Sequence, residues 1–377
     1  MSVPQGSGDR PDPRPLRTGA GLRVAIISDT TRERNGVATY YQDLAASLAG
    51  HVARIGLIAP EPATRTRIRV PMPGDSSQTL SLPSYRKVSA HFTALAPDVV
   101  VVATPGPYGL LGTYLSRRHH SRLIVGFHTD FAQLLELYWN RFSGPIPRRV
   151  AEVIQRRMFG RADLIVANSA QMLAAATALS DRPVVLAGTP LPGEYLAHPT
   201  TPLRSQLRTV LFAGRLAPEK NLDAVLDAAR QLPQLTFLIA GDGPRRSAVQ
   251  TASRQLRNLE YLGWLDRAGL MGALDRCDAL VLPSRFESFG TVALEALARN
   301  RCTLVSQGCG IRDWPELARG LFHIGASESV ADALRRLYAT DPAIRREKTA
   351  RGLAAVRGHH AWNCDLWLRL LTNNAPP

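Results

Sequence analysis

From residue 22 onward, short apolar runs rich in Val, Ile and Leu alternate with stretches whose apolar residues recur every three or four positions. The short runs are typical of strands buried on both faces, and the longer period is typical of helices packed on one face. In the first half of the chain, the predicted strands lie at 22–28, 99–104, 123–127 and 164–168, and the predicted helices near 37–49, 108–118, 147–159 and 169–180. This alternation predicts a parallel sheet covered by helices.

A second series of the same kind follows a segment crowded with proline and threonine at 183–206, where we predict a linker. Its predicted strands lie at 208–215, 235–243, 259–264, 278–284, 302–306 and 321–324, and its predicted helices near 219–231, 244–257, 266–276 and 291–299. The chain is therefore predicted to form two α/β lobes. Because ligands of such sheets bind beyond the carboxyl ends of the strands, we expect a site in the cleft between the lobes.

The length of 377 residues suits two domains. We predict a disordered tail at 1–21, which is rich in Pro, Gly and Arg and lacks an apolar core. A first Rossmann-like domain is predicted at 22–188 and a second at 208–355. The segment 356–377 is predicted to be a C-terminal helix that packs back on the first domain.

The composition of the chain limits the chemical class of its binding partner but does not identify the partner. The chain has 46 Lys and Arg against 31 Asp and Glu, and its net charge of +15 favours an anionic partner such as a nucleotide, a lipid surface or a nucleic acid. It has no aromatic-basic, zinc or recognition-helix pattern, so we expect no nucleic acid. Four cysteines without a CxxC pair indicate reduced thiols and a cytoplasmic location. No apolar run is long enough to span a membrane.

The most informative segment is SRFESFGTVALEAL at 284–297, which follows a predicted strand and opens a predicted helix. It places Glu287 in the loop and Glu295, eight residues later, in the helix, so the two carboxylates can address different parts of one ligand. The intervening residues at the helix start offer free backbone N–H groups to a phosphate or a sugar: Ser288, Phe289, Gly290 and Thr291. The alternative is a capped helix start with two surface glutamates.

Two cations follow another predicted strand, in the segment FAGRLAPEKNLD at 212–223. Arg215 and Lys220 stand where the next helix begins, and such a pair suits a diphosphate because a guanidinium can bind it with two hydrogen bonds. The alternative is a solvated loop.

The first lobe contributes two weaker candidates. Asn35-Gly36 lies in the first strand-to-helix turn and allows the backbone to approach an anion closely. His128 follows the strand at 123–127, at the edge that faces the expected cleft; a histidine that only packs is the alternative. No D-x-D motif occurs, so we predict no metal site.

Together these motifs resemble the family-4 retaining glycosyltransferases, over residues 22–371. The resemblance implies the GT-B fold: two Rossmann-like lobes with parallel sheets facing across a cleft, and a C-terminal helix that returns to the N-terminal lobe. The N-terminal domain would hold the acceptor, and the C-terminal domain would bind a nucleotide sugar. It also implies catalysis without a metal or cofactor. The other interpretations are a sugar-nucleotide epimerase of the same fold and a basic nucleic-acid-binding protein.

The resemblance also implies roles for the candidate residues. Glu287, with the amides of 288–290, would contact the donor sugar, and His128 would lie beside it. Glu295 would hold the ribose hydroxyls. The diphosphate would be bound by Arg215, Lys220 and the backbone of Gly36.

The acceptor is expected to be a lipid or a lipid-linked glycan, because 103–112 and 127–131 are most similar to bacterial lipid-directed members of the family. Residues 141–161 carry six arginines and one acid. We interpret them as a basic amphipathic helix that rests on an anionic membrane, with the protein peripheral on its inner face. The predicted apolar face is Val150, Val153, Ile154 and Met158, with Arg148, Arg149, Arg156 and Arg157 elsewhere. The alternative is a solvated basic face on a packed helix.

Overall fold

A computed structural model describes residues 19–30, 36–60, 69–72, 75–128 and 146–373. Its first lobe contains strands β1 to β8: Arg23–Ile27, Arg54–Ile58, Arg69–Met72, Asp75–Ser81, Val99–Val102, Arg122–Phe127, Leu164–Ala167 and Val184–Leu186. Its helices α1 to α5 are Gly36–Leu48, Tyr85–Leu95, Pro107–Arg118, Ile146–Phe159 and Ala170–Leu179. Strands β3 and β4 form an antiparallel hairpin, and the other six form one parallel sheet in the order β2-β1-β5-β6-β7-β8.

The four strands predicted in this half are the sheet's inner strands, whose residues are almost all buried. The two strands that the sequence did not reveal are its edges. Strand β2 is largely half-exposed, and β8 is three half-buried residues inside the segment predicted to be a linker. Their signal in the sequence is weak, because β2 carries an arginine and a glycine among its five residues, and β8 offers only Val-Val-Leu inside a segment rich in proline and threonine.

The second lobe begins after the short helix α6 (Gly193–Ala197). Its strands β9 to β14 are Thr209–Ala213, Thr236–Ala240, Leu259–Gly263, Ala279–Leu282, Cys302–Val305 and Leu321–His323. Its helices α7 to α12 are Leu222–Gln231, Arg246–Gln255, Arg267–Arg276, Thr291–Ala298, Pro315–Ala318 and Val330–Ala339. The strands form a second parallel sheet in the order β11-β10-β9-β12-β13-β14. The prediction of two parallel sheets flanked by helices is confirmed.

The chain ends in one helix, α13 (Pro342–Thr372), of 31 residues. It begins on the second lobe, where the backbone of Gly352 packs against that of Gly320. Its last turns pack on the first lobe: Trp367, Leu370 and Leu371 join a buried cluster with β1 and α1, and Trp367 Nε1 donates to the Tyr40 hydroxyl at 3.0 Å. The helix thus returns to the N-terminal lobe as predicted, but it starts at residue 342 and passes through the predicted boundary at 355 without a break.

Candidate active site

The carboxyl ends of the two sheets face each other across a cleft of about 620 Å³. Residues of both lobes line it, and they include every residue that the sequence placed in the site: Gly36, His128, Arg215, Lys220, Glu287, Ser288, Phe289, Gly290, Thr291 and Glu295. Asn35, the neighbour of Gly36, lies outside the described residues. The topology therefore brings these residues together from four separate segments of the chain.

The loop of Glu287 follows β12 and is fixed by backbone hydrogen bonds to the loop after β13. Glu287 N donates to Gly308 O at 2.8 Å, and Gly310 N donates back to Glu287 O at 2.9 Å. Gly290 ends the loop with φ of 99°, a left-handed conformation that favours glycine, and then α10 begins. This geometry holds the backbone N–H groups at the start of α10 beside the cleft.

The two cations predicted to bind the diphosphate are each paired with a carboxylate. Lys220 forms an ion pair with Glu287, and Arg215 Nη1 lies 3.2 Å from Glu219 Oε1. A hydrogen bond of 2.8 Å from Arg285 N to Glu219 O ties the loop after β9 to the loop after β12. Lys220, predicted for the diphosphate, and Glu287, predicted for the sugar, are therefore direct neighbours.

Glu295 lies inside α10 and is 5% exposed, so it is not the surface glutamate of the alternative interpretation. Burial raises the pKa of its carboxyl to about 8; Asp43 and Glu194 add to this rise, and Arg267 opposes it. A buried carboxyl beside two others and one guanidinium is suited to binding a polar ligand that arrives with its own hydrogen-bond donors.

His128 is buried directly after β6, and its Nε2 lies 2.7 Å from the Tyr41 hydroxyl. Burial lowers the pKa of the imidazole to about 3, so the ring is neutral at physiological pH. Its Nδ1 has no hydrogen-bond partner among the described residues, and the side chain lines the cleft. The ring can therefore exchange a neutral hydrogen bond with a ligand.

Several residues of this cleft escaped the sequence analysis. Asn168 and Thr189 are buried at the ends of β7 and β8, line the cleft, and have side-chain oxygens without a partner in the described chain. Arg267 also lines the cleft, and it forms ion pairs with Asp43 on α1 and Glu194 on α6. No sequence motif marks these residues, because only the tertiary structure brings them together.

Contrary to the prediction, the apolar residues of helix α4 do not share one face that is free to meet a membrane but are divided between its exposed and buried sides. Val150 and Val153 are 53% and 48% exposed, whereas Met158 is buried and Ile154 is half-buried. With 100° between successive residues, Val150 and Val153 point away from Met158 by about 80° and 140°. They share the outer side of the helix with three exposed arginines: Arg149, Arg156 and Arg157. Residues 141–145, and the side chain of Arg148, lie outside what the structure describes.

Among the described residues, no three His, Cys, Asp or Glu side chains converge as a metal site requires. Within the same ranges, every helix is too short or too polar to traverse a bilayer.

Comparison with family models gives two matches, one for each lobe. Residues 34–186 match the model described as Glycosyltransferase Family 4, and residues 197–351 match Glycosyl transferases group 1.

Three curated relatives illustrate the likeness. A GDP-mannose-dependent alpha-mannosyltransferase of Mycolicibacterium smegmatis is 30% identical over 321 residues, 78% of this chain and 81% of that protein. A GDP-mannose-dependent alpha-(1-6)-phosphatidylinositol dimannoside mannosyltransferase of Mycobacterium tuberculosis is 29% identical over 164 residues, 42% of each chain. The uncharacterized glycosyltransferase YqgM of Bacillus subtilis is 28% identical over 187 residues. The match covers 46% of this chain and about half (52%) of that protein.

Solved structures share the fold. Sucrose-phosphate synthase from Thermosynechococcus elongatus superposes with a TM-score of 0.74 at 17% identity, covering 93% of this chain and 98% of that one. The HepE protein of Anabaena in complex with UDP-glucose gives a TM-score of 0.59 at 16% identity, covering 94% and 98%. The two-lobed GT-B architecture is thereby confirmed.

Proposed function

We propose, since this chain belongs to the family-4 glycosyltransferases, that it transfers a hexose from a nucleotide-diphosphate sugar to a hydroxyl acceptor with retention of configuration. The observation that carries the proposal is the cleft itself. Its second-lobe wall combines two cations, two carboxylates and a helix N-terminus, and its first-lobe wall presents neutral polar groups. A nucleotide sugar contains matching parts: a diphosphate, a ribose and a hexose.

The diphosphate is assigned to Arg215 and Lys220, with the backbone of Gly36 on the opposite wall. As the bond from the sugar to the diphosphate breaks, negative charge grows on the leaving oxygen. Fixed positive charge at that position stabilises the transition state more than the ground state. Lys220 would then lie between two anionic groups, the diphosphate and Glu287, and would hold Glu287 in place.

The hexose is assigned to Glu287, the amides of 288–290 and His128. Glu287 accepts hydrogen bonds from sugar hydroxyls, and Lys220 fixes its orientation. His128 is neutral and therefore acts by hydrogen bonding rather than as a proton donor at neutral pH. Glu295 is assigned to the ribose hydroxyls.

Retention is assigned to a front-face reaction. The C1–oxygen bond to the diphosphate breaks, the acceptor oxygen bonds to C1 on the same face, and the acceptor proton passes to the departing diphosphate oxygen. No metal ion or cofactor takes part in this scheme. NMR of the product tests it, because an inverted anomeric centre would contradict the scheme.

The base, the sugar and the reaction itself are tested with the purified protein. A thermal-shift comparison of UDP, GDP and ADP is expected to show one nucleotide that stabilises the fold, by about 2.7 kcal/mol at a hundredfold excess over its Kd. The corresponding sugar nucleotides are then incubated without an acceptor. Formation of an epimer would favour the epimerase, an alternative that nothing in the comparisons supports.

For the acceptor, we propose a lipid or lipid-linked glycan reached from an anionic membrane. The support is the outer side of α4, where Val150 and Val153 are exposed among Arg149, Arg156 and Arg157. Such a surface places apolar groups at the headgroup level and gains about 1 kcal/mol per cation. The name of the Mycobacterium tuberculosis relative specifies a phosphatidylinositol dimannoside mannosyltransferase, which agrees with this class of acceptor.

Flotation with vesicles of an acidic phospholipid tests the membrane proposal at low salt. We expect binding by the wild-type chain and weaker binding by the Arg156→Glu and Arg157→Glu variants. Arg230→Glu, on an exposed part of α7, is the matched control. Equal flotation of all variants, or none by the wild type, would exclude this surface.

A further inference from the structure

Two charged residues that line the cleft, Arg267 and Glu295, belong to a group that we call the ribose-side cluster, together with Asp43 and Glu194. Arg267 is the first residue of α9 in the second lobe. Its Nη2 lies 2.6 Å from Asp43 Oδ1 on α1 of the first lobe, and its Nε lies 3.4 Å from Glu194 Oε1 on α6. One guanidinium therefore joins both lobes and the segment that connects them.

The cluster holds three carboxylates and one guanidinium. The Asp43 side chain is only 3% exposed, and its Oδ2 has no hydrogen-bond partner in the described part of the chain. Burial raises the pKa of Asp43 to about 6 against the pull of Arg267. A carboxylate this deeply buried is stabilised chiefly by its contact with Arg267, and loss of that contact leaves a buried charge without compensation.

Glu295 responds to the same field. The groups that face it are Asp43 from α1, Glu194 and Tyr195 from α6, and Arg267 from α9. Arg267 favours the ionised form of Glu295, whereas the two neighbouring carboxylates disfavour it. An ionised carboxylate can accept hydrogen bonds from two vicinal hydroxyls at once, and these are stronger than bonds to a neutral acid.

Arg267 and Glu295 line the same cleft. We propose that Arg267 is a positioning residue for the nucleotide: it ties the lobes together through Asp43, and its positive charge favours the form of Glu295 that binds the ribose. This inference rests on the proposed function, because it takes Glu295 as the ribose ligand. It adds a residue of the second lobe that acts through Glu295 and Asp43.

The two partners of the ion pair have opposite consequences for Glu295. Arg267→Gln removes a positive charge, so the ionisation of Glu295 moves to higher pH. Asp43→Asn removes a negative charge, so the same ionisation moves to lower pH. A role limited to joining the lobes predicts no such difference, because each substitution breaks the same ion pair.

The experiment measures the Kd of a nucleoside diphosphate by calorimetry between pH 6 and 9. The probe is whichever of UDP, GDP and ADP stabilises the wild-type protein most. Affinity is expected to rise with pH as Glu295 ionises. We expect the midpoint of this rise to move up by about one pH unit in Arg267→Gln and down in Asp43→Asn, and one unit equals up to about tenfold in affinity below the midpoint.

Three controls test whether the ribose hydroxyls, the charge at position 267 and the location of the substitution cause the change in midpoint. The matching 2′,3′-dideoxynucleoside diphosphate lacks the hydroxyls that bind Glu295 but keeps the terminal phosphate, which titrates near pH 6. The difference between the two probes therefore cancels the contribution of that phosphate. Arg267→Lys keeps the charge and is expected to retain the wild-type midpoint. Arg276→Gln changes an exposed arginine of the same helix and is expected to leave both affinity and midpoint unchanged.

Opposite displacements that vanish with the dideoxy probe would establish the role of Arg267. The role of Arg267 would be overturned, while the proposed function stands, by any of three results. The midpoints of both variants could move in the same direction, stay unchanged, or move equally with both probes. If the wild type binds none of the three nucleotides, the proposed function fails first, and this inference fails with it.

Discussion

The two walls of the cleft are built on different principles. The second-lobe wall is charged, and its ions are paired: Lys220 with Glu287, and Arg215 with Glu219. The first-lobe wall presents three neutral side chains that are buried, and one polar atom of each has no partner in the described chain: His128 Nδ1, Asn168 Oδ1 and Thr189 Oγ1. The ion-paired side chains can change partners when a diphosphate binds. Neutral buried groups are suited to hydrogen bonds with hydroxyls, whereas an ion placed beside them would cost free energy of desolvation.

The largest expected effect tests the charged wall. In Lys220→Ala, the leaving diphosphate loses a cation and Glu287 loses the partner that orients it. We expect kcat to fall by about 10²–10³, measured with the sugar nucleotide selected by thermal shift. Arg230→Ala, an exposed cation on α7, is the control and should retain wild-type turnover. If turnover in Lys220→Ala stayed within twofold of the wild-type value, the assignment of the diphosphate to this wall would be wrong.

The next effect tests the packing behind the neutral wall. A Cβ on Gly126 would lie 1.9 Å from the Tyr41 hydroxyl and 2.8 Å from His128 Nε2. Gly126→Ala is therefore expected to destabilise the fold by about 1–3 kcal/mol, measured by urea unfolding. Gly272→Ala is the matched control, because its added Cβ meets no atom within 4 Å inside α9. It should stabilise the protein slightly, and a comparable loss there would show that the effect of Gly126→Ala is not local.

The smallest effect tests the neutrality of His128. In His128→Asn, the cleft loses one neutral hydrogen bond to the sugar, so we expect kcat/KM to fall by about tenfold. Because burial lowers the pKa of this imidazole to about 3, its titration lies below the range in which the enzyme works. The shape of the pH profile between pH 5 and 8 should therefore be the same in the variant and the wild type. An acidic limb that disappears with the substitution would show that His128 carries a working proton.

The comparison also explains which residues the sequence could reveal. The charged wall is built from two continuous segments, 212–223 and 284–297, in which a strand ends, a loop follows and a helix starts. Local patterns report such units because the strand's apolar run and the helix start fix the loop between them. The pairing of Lys220 with Glu287 joins the two segments across 67 positions, and no local pattern contains it.

The neutral wall is different, since each strand end contributes a single residue. Asn168 and Thr189 stand in ordinary sequence surroundings, and their importance comes from the sheet order that lines up the ends of β7 and β8. The outward orientation of Val150 and Val153 was missed for a related reason. The periodicity of a helix shows which residues share a face but not which face meets the core when basic and apolar residues are mixed.

Sequence alone was sufficient for the two parallel sheets, their inner strands and the segments that line the second-lobe wall, because burial on both faces imposes long apolar runs and loops begin where those runs end. The edge strands of the first sheet, the continuous helix from 342 to 372 and the ribose-side cluster depended on the tertiary structure. Arg267, Asp43 and Glu194 lie in three distant segments, and their charges interact only because the two lobes close against each other. A low-dielectric contact between such groups is a property of the folded surface, and the order of the residues does not encode it locally.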